Sequence, residues 1–437
     1  RQILNGVSRL APGAITSVSP DQPDVLTEQY VPLLEREASV MSRSEEVEHT
    51  VSLFHSIVPT WLESESAIAF SLSRGLDSRA VLASVPASAA NRVSTFTYGI
   101  PDSSEILEAR NLSTELGYRH LELFLNDEYL ARLPSLMHET VFLSDALQVI
   151  NRSNLPLVYD SVRIDGERPG SIMSGVSGDH VFRDHISAWG NVPYLLSADV
   201  AAMHRTGKRD VDEQFYRSMF GASWTDVDSY LSSVLDDVED TYGPFGDPDA
   251  YYRYLMYVAG SRYFGGQAAI ANRFTTFRTP YWDRRMVQFG MNANLGTVGL
   301  SQHADSKDGF LETMLQANVV ARHPIIRNVP YMNLPVTVFA NKSRLPYEWS
   351  RVVRKLTTIV TGRKSVPEED WYGWYRTVLK DEIDELLGEN SRVAEHVERD
   401  FITRQRELVD IHWLGKLITI EIALRLVENG WQRPVTG

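Results

Sequence analysis

The chain has 437 residues, 43% of them hydrophobic and 23% charged, which is ample for a buried core and suggests two or three domains' worth of fold. Its 43 basic and 57 acidic residues leave a formal charge of −14, which argues against a general nucleic-acid or membrane-surface binder, since both want a basic excess. The absence of cysteine excludes disulfides, cysteine-ligated zinc, iron–sulfur clusters and a thiol nucleophile, and no apolar run approaches the ~20 residues of a membrane span.

Residues 1–35 hold Pro12, Gly13, Pro20 and Pro23 among short apolar runs, and predict strands and turns, not a domain. In Glu45–Leu62, the positions Val47, Val51, Phe54, Val58 and Trp61 recur every three or four residues, one face of a helix. Strand and helix then alternate. Ser66–Leu72 reads as a buried strand, Asp77–Val85 as a short helix and Val93–Ile100 as a second strand. Ser104–Leu116 is a helix ended by Gly117, and His120–Leu125 a third strand. Asp127–Phe142 and Leu155–Ile164 are helical, and Ser171–Ser174 is a fourth strand. This order predicts an α/β fold with a parallel, doubly wound sheet. Beyond Asp179 the strand signal fades. Residues 190–430 read mainly as helices, with an acidic loop near Leu235–Ala250 and an amphipathic helix at Glu407–Val427. Chemistry is expected at the carboxyl ends of the early strands, where such sheets bind ligands.

The first of these strands ends in Ser73-Arg74-Gly75-Leu76-Asp77-Ser78, where a helix begins. Glycine permits a tight turn, the serines supply hydroxyls, and a helix N-terminus presents unpaired N–H groups to an anion. Asp77 beside such a seat suits a magnesium ion bridging carboxylate and phosphates. The same six residues also suit a plain Asp or Ser helix cap after a glycine turn. They are not a G-x-x-x-x-G-K-[ST] phosphate loop. Neither they nor Gly175-Val176-Ser177-Gly178-Asp179 complete a G-x-S-x-G nucleophile elbow, which makes a hydrolase the weakest reading.

Ser73–Ser78 resembles the pyrophosphate-binding S-G-G-x-D-S loop of ATP pyrophosphatases, and its surroundings resemble the synthetase domain of asparagine synthetases, β-lactam synthetases and peptide cyclases. Further segments follow in the family's order. Thr95–Ile100 resembles its S-F-S-I-G strand, Ala109–His120 its A-x-x-(V/L)-A-x-x-L-G-x-x-H helix and turn, and Ser174–Asp179 its S-G-E-G-A-D loop. Arg278–Asp283 resembles R-x-P-(F/Y)-(L/W)-D, Lys307 the lysine of K-x-x-L-R, and Lys342 that of R-x-K-x-G. Ile3–Gly13 resembles the stretch that closes the preceding glutaminase-like domain, so the chain, opening at Arg1, is expected to be a piece of a longer protein.

The resemblance implies an ATP-pyrophosphatase core at 41–190, a helical synthetase region at 191–437 and a linker remnant at 1–40. It implies an asparagine synthetase-like, cytoplasmic ligase that uses ATP and Mg2+ to turn a small-molecule carboxylate into an acyl-adenylate. Ammonia or glutamine-derived nitrogen would then displace AMP; without cysteine this chain cannot itself hydrolyse glutamine in the family's way. A homodimer is compatible with this picture. Asp77 and Asp179 would hold the metal. Ser73, Arg74, Gly75 and Ser78 would meet the phosphates, and Leu72, Thr97, Ser174 and Gly175 would line the AMP moiety. Lys342, Arg278 and Lys307 are the expected catalytic residues, Lys342 by neutralising developing charge.

Several positions depart from the family pattern. Arg74 replaces the first loop glycine, where its guanidinium would contact phosphate or strain the turn. Val176 replaces the glutamate tied to amide formation, and valine transfers no proton. Thr276 stands where the family often has Glu, and Arg344 in the glycine position after Lys342. Glu139 and Asp145 are candidates for a replacement acid or base. An intramolecular cyclase, a tailoring ligase for a sugar acid or natural product, and a non-catalytic ATP-binding relative therefore remain as alternatives. His180, Asp184 and His185 lack metal-site spacing, the Tyr251, Tyr252, Tyr254 and Tyr257 cluster reads as helix packing, and Arg351–Lys355 reads as an exposed face.

Overall fold

The computed structural model describes residues 14–19, 22–29, 35, 37, 40–63, 65–182, 213–243, 252–293, 315–331, 334–335, 352 and 366–433. Strands β1 (Ala14–Ser19) and β2 (Gln22–Gln29) pair antiparallel, Ala14 opposite Gln29 and Ser19 opposite Gln22, so the early segment is strand and turn as expected. Helix α1 (Arg43–Leu62) starts at a reciprocal cap in which Ser42 and Glu45 satisfy each other's backbone N–H groups. Its buried face carries Val51, Phe54, Val58 and Leu62.

The core is a five-stranded parallel sheet in the order β5-β4-β3-β6-β7. Its strands are β3 (Ile68–Ser71), β4 (Val93–Gly99), β5 (Arg119–Phe124), β6 (Ser171–Ser174) and β7 (Thr276–Arg278). The central strands are apolar on both faces because helices cover both. Ile68, Phe70 and Met173 enter one core with α1, α2 (Leu76–Ala83) and α3 (Ser104–Leu116). Ala69, Phe96 and Ile172 point the other way, against α5 (Asn154–Ser161) and the helix Ser261–Asn272. Each fully buried side chain of Phe70's kind contributes about 1.5–3 kcal/mol. A third core joins α4 (Asp127–Leu143) to the C-terminal helices through Tyr129, Leu133, Trp374, Phe401 and Ile418.

Three features differ from expectation. The fifth strand was not predicted: Thr276–Arg278 is too short to show a period, and its register on β6 defines it. The acidic stretch is not a loop up to Tyr242. Asp236, Asp237 and Asp240 line the solvent face of a helix, Trp224–Tyr242, while Val238 packs on the core. A glycine at φ 98°, Gly243, stops that helix. Asp247 and Asp249 lie outside the described residues. The C-terminal helix is two helices, Arg399–Leu408 and Ile411–Glu428, separated at Val409, whose φ is 50°. Among the described residues no helix is long and apolar enough to cross a membrane.

Candidate active site

After β5 the chain crosses back to the far side of β3 and changes face, so the carboxyl ends of β3 and β6 flank a topological switch point. Open parallel sheets bind ligands in the crevice formed there. Leu72 buries its side chain in the core, receives Thr97 Oγ1–H on its carbonyl at 2.7 Å, and donates to Phe96 O at 2.9 Å. The Ser73–Ser78 loop follows at once.

Hydroxyls lock that loop. Gly75 N–H donates to Ser73 Oγ at 3.2 Å, Ser73 N–H donates to Ser78 Oγ at 3.2 Å, and Ser78 Oγ–H reaches Ser73 O at 3.0 Å. Helix α2 has Gly75 as its N-cap, a residue with no side chain to cap the helix. Neither Asp77 nor Ser78 is therefore the helix cap, and the N-cap residue brings no side-chain acceptor to compete with an anion.

The β6 loop closes on this helix end. A Cβ on Gly175 would fall 2.5 Å from Ser78 N and 2.8 Å from Asp77 C, and one on Gly178 would fall 2.3 Å from Asp77 Cγ. Only glycine admits this approach. Ser177 holds φ 74°, an uncommon conformation for a residue with a side chain, and its hydroxyl accepts Trp282 Nε1–H at 2.9 Å. Helix α6 (Gly178–Val181) begins next, and places Asp179 in the chain directly after the glycine that the Asp77 carboxylate touches.

Asp77 is set by other elements as well. Tyr281 Oη–H donates to its carbonyl at 3.1 Å, and Gln316 Nε2–H to its Oδ1 at 2.9 Å. Sequence reasoning assigned neither residue a role. Tyr281 lay inside a quoted motif. Gln316 carried only the signal of one of two amides, with Asn318, within the otherwise apolar run Met314–Val320. The assembly offers hydroxyls and helix N–H groups to an anion and a hard carboxylate oxygen to a cation.

Arg74 neither strains the turn nor turns toward the loop. It is absent from the positive-φ residues, and its guanidinium bonds Glu108 at 2.8 Å and Ser104 Oγ at 2.9 Å on α3. Its N–H donates to the Glu105 carboxylate at 2.7 Å. Burial raises the Glu105 pKa, against the pull of that bond.

Arg278 ends β7. Its guanidinium pairs with Glu65 at 2.5 Å and bonds Trp61 O at 2.9 Å, in the segment that leads into β3. It ties β7 to the chain that precedes the sheet. Glu139, on α4, pairs with Arg433 at 2.9 Å. Asp145, at φ 51°, follows that helix. Val176 packs with the apolar cluster that includes Ala69 and Phe96. His180 stacks edge-on to Phe264, and Tyr252 Oη–H lies between Val181 O and Val287 O, a packing role. Asp184, His185, Lys307, Lys342, Arg344 and Tyr251 lie outside the described residues, as does Arg351–Lys355 apart from Val352. Among the described residues no three His, Asp or Glu side chains converge as a metal site.

A family model described as asparagine synthase matches residues 51–296, more than half of the chain and the whole five-stranded sheet. No curated protein matches the sequence.

Proposed function

The chain belongs to the asparagine synthase family, whose members are generally ATP-dependent ligases, and from that premise we propose that it is an amide-forming ligase that activates a small-molecule carboxylate with ATP. The observation that carries the reading is the locked Ser73–Ser78 loop at the β3–β6 switch point, followed by an α2 whose first turn no side chain caps.

In this reading Ser73, Gly75 and Ser78 cradle the ATP phosphates, and the ends of β4 and β6, at Thr97, Ser174 and Gly175, border the AMP moiety. Asp77 and Asp179 are assigned to magnesium. The fit rests on Asp77, a hard oxygen donor held against the Gly178 backbone at the loop. When bound, the ion supplies neutralising charge on the phosphates. A substrate carboxylate oxygen attacks the α-phosphorus, the bond to the β-phosphate oxygen breaks, and pyrophosphate leaves. A nitrogen nucleophile then attacks the acyl carbon, AMP departs with the electron pair of the broken C–O bond, and the nitrogen gives up a proton. Lys342 and Lys307 are the cations the sequence assigns to these charged states.

The acceptor side favours a substrate other than aspartate. Val176 is packed into an apolar cluster at the position tied to amide formation, and no proton passes through it. An intramolecular cyclase or a tailoring ligase fits this better than a strict asparagine synthetase. ATP–pyrophosphate exchange over a panel of carboxylates headed by aspartate, with Asp77→Ala as control, tests the proposal. Exchange stimulated by one acid and lost in the control supports it. ATP binding without exchange across the panel turns the reading toward a non-catalytic relative, and no ATP binding overturns it.

A further inference from the structure

We infer that Gln316 is a positioning residue that orients the Asp77 carboxylate for a divalent cation without neutralising it; this rests on the assignment of Asp77 to the metal in the proposed function. Gln316 is 1% exposed, flanked by Leu315 and Ala317 at 0%, on the helix Leu315–Arg322. That helix packs on both α1 and α2. Its backbone is thus fixed by core contacts, and Nε2–H meets Asp77 Oδ1 at 2.9 Å.

Burying a primary amide costs free energy unless its hydrogen bonds are made, so a buried glutamine on an apolar helix face needs a reason to be polar. The reason on this helix is the carboxylate it addresses. The Gly178 backbone closes on the same carboxylate: a Cβ there would fall against both Oδ1 and Oδ2 of Asp77. The amide bond and this close backbone together restrict how the carboxylate can turn. A lysine or arginine at 316 would hold it too, but would bring a positive charge to the place a cation must occupy. A neutral donor orients the oxygen and leaves the negative charge for the metal.

The test uses Gln316→Met, which keeps the volume and loses the donor, and Gln316→Arg, which keeps a donor and adds charge. Asp77→Asn serves as the control for the underlying assignment. Mn2+ affinity of the ATP complex is read by electron paramagnetic resonance, and ATP affinity is read separately in the absence of divalent cation. Loss of outer-shell partners typically weakens metal affinity about 10–100-fold. The expectation is about a tenfold or greater loss of Mn2+ affinity in Gln316→Met and a larger loss in Gln316→Arg, with metal-free ATP affinity within about twofold of the parent. Parental Mn2+ affinity in Gln316→Met overturns the inference. So does an equal loss of metal-free ATP affinity, which marks a merely structural role. Should Gln316→Met not fold, Gln316→Arg decides by the same two readouts. If Asp77→Asn itself leaves Mn2+ affinity unchanged, the metal assignment fails, and the inference with it, by a separate readout.

Discussion

The hydroxyls of Ser73 and Ser78 lie 2.9 Å apart, joining the two ends of a loop that spans the step from β3 to α2. Ser78 is 4% exposed, and its oxygen also receives the Ser73 N–H at 3.2 Å. Ser78→Ala removes both contacts and leaves a backbone donor without its acceptor. A net hydrogen bond contributes about 1 kcal/mol, and an orphaned buried donor costs about 1–3 kcal/mol. The variant is expected to lose about 1–3 kcal/mol of stability by denaturant titration, and its ATP affinity is expected to fall about tenfold or more. Parental ATP affinity in a folded Ser78→Ala protein would remove the loop from the nucleotide site.

Gly175 and Gly178 make a sharper steric prediction. The Cβ of Gly175→Ala meets backbone at Ser78 N, which cannot turn aside, and that of Gly178→Ala meets the Asp77 carboxylate. Overpacking of this kind costs about 1–3 kcal/mol, and the displaced atoms belong to the binding loop. Both variants are expected to lose nucleotide binding beyond their loss of stability. Gly265→Ala is the contrasting control. It lies in the helix Ser261–Asn272 with nothing within 4 Å of the new Cβ, and helix propensity predicts a gain of up to about 1 kcal/mol. Calorimetry and ATP titration on the three variants separate these cases; a Gly175→Ala protein with intact binding would contradict the closed crevice.

Arg278 and Glu65, with side chains 18% and 17% exposed, form a half-buried ion pair, and the guanidinium also bonds Trp61 O. Pairs at this depth fall between exposed and buried examples, so Arg278→Ala is expected to cost about 1–3 kcal/mol. Glu65→Gln is expected to cost less, and the double variant less than the sum. Nucleotide affinity per folded molecule is expected to stay at the parental value. A selective loss of nucleotide binding with unchanged stability would return Arg278 to the catalytic set.

The residues show why the sequence revealed some of this and not the rest. Ser104–Leu116 and Ser171–Ser174 lie where they were expected, because a Ser103 cap and a Gly117 stop bound the first, and a run buried on both faces marks the second. The loop was legible because its residue types sit at fixed offsets behind a strand. Thr276–Arg278 escaped because three residues show no period, and its pairing partner is about a hundred positions upstream. The acidic stretch misled because a solvated helix face and a loop share a composition; among its described residues Val238 marks the buried side. Gln316 escaped for a deeper reason. A hydrogen bond across 239 positions has no local pattern, and nothing in a helix of Leu, Ala and Val states which polar residue faces a carboxylate.

Glu368 carries the last prediction. Its carbonyl accepts the Ile100 N–H at 2.9 Å just past β4, beside the edge where Glu105 and Arg74 meet. Its side chain reaches the surface, yet partial desolvation among the neighbouring groups, reinforced by the nearby Glu105 and Glu369 carboxylates, pushes its pKa from the ordinary 4.5 up to about 8. The sign follows from proton counting. Between pH 4.5 and 8 the folded chain keeps a proton that the unfolded chain has released, so this group's contribution to stability falls as pH rises through that window. Glu368→Gln removes the titration while keeping size and polarity. The variant is expected to melt above the parent at pH 8.5 and close to it at pH 4.5, with a flatter dependence between. Glu105 and Glu369, also raised by burial, leave a residual slope of the same sign. Melting curves of the two proteins at half-unit intervals decide it, and parallel profiles across the window would show that Glu368 ionises as an ordinary surface carboxylate.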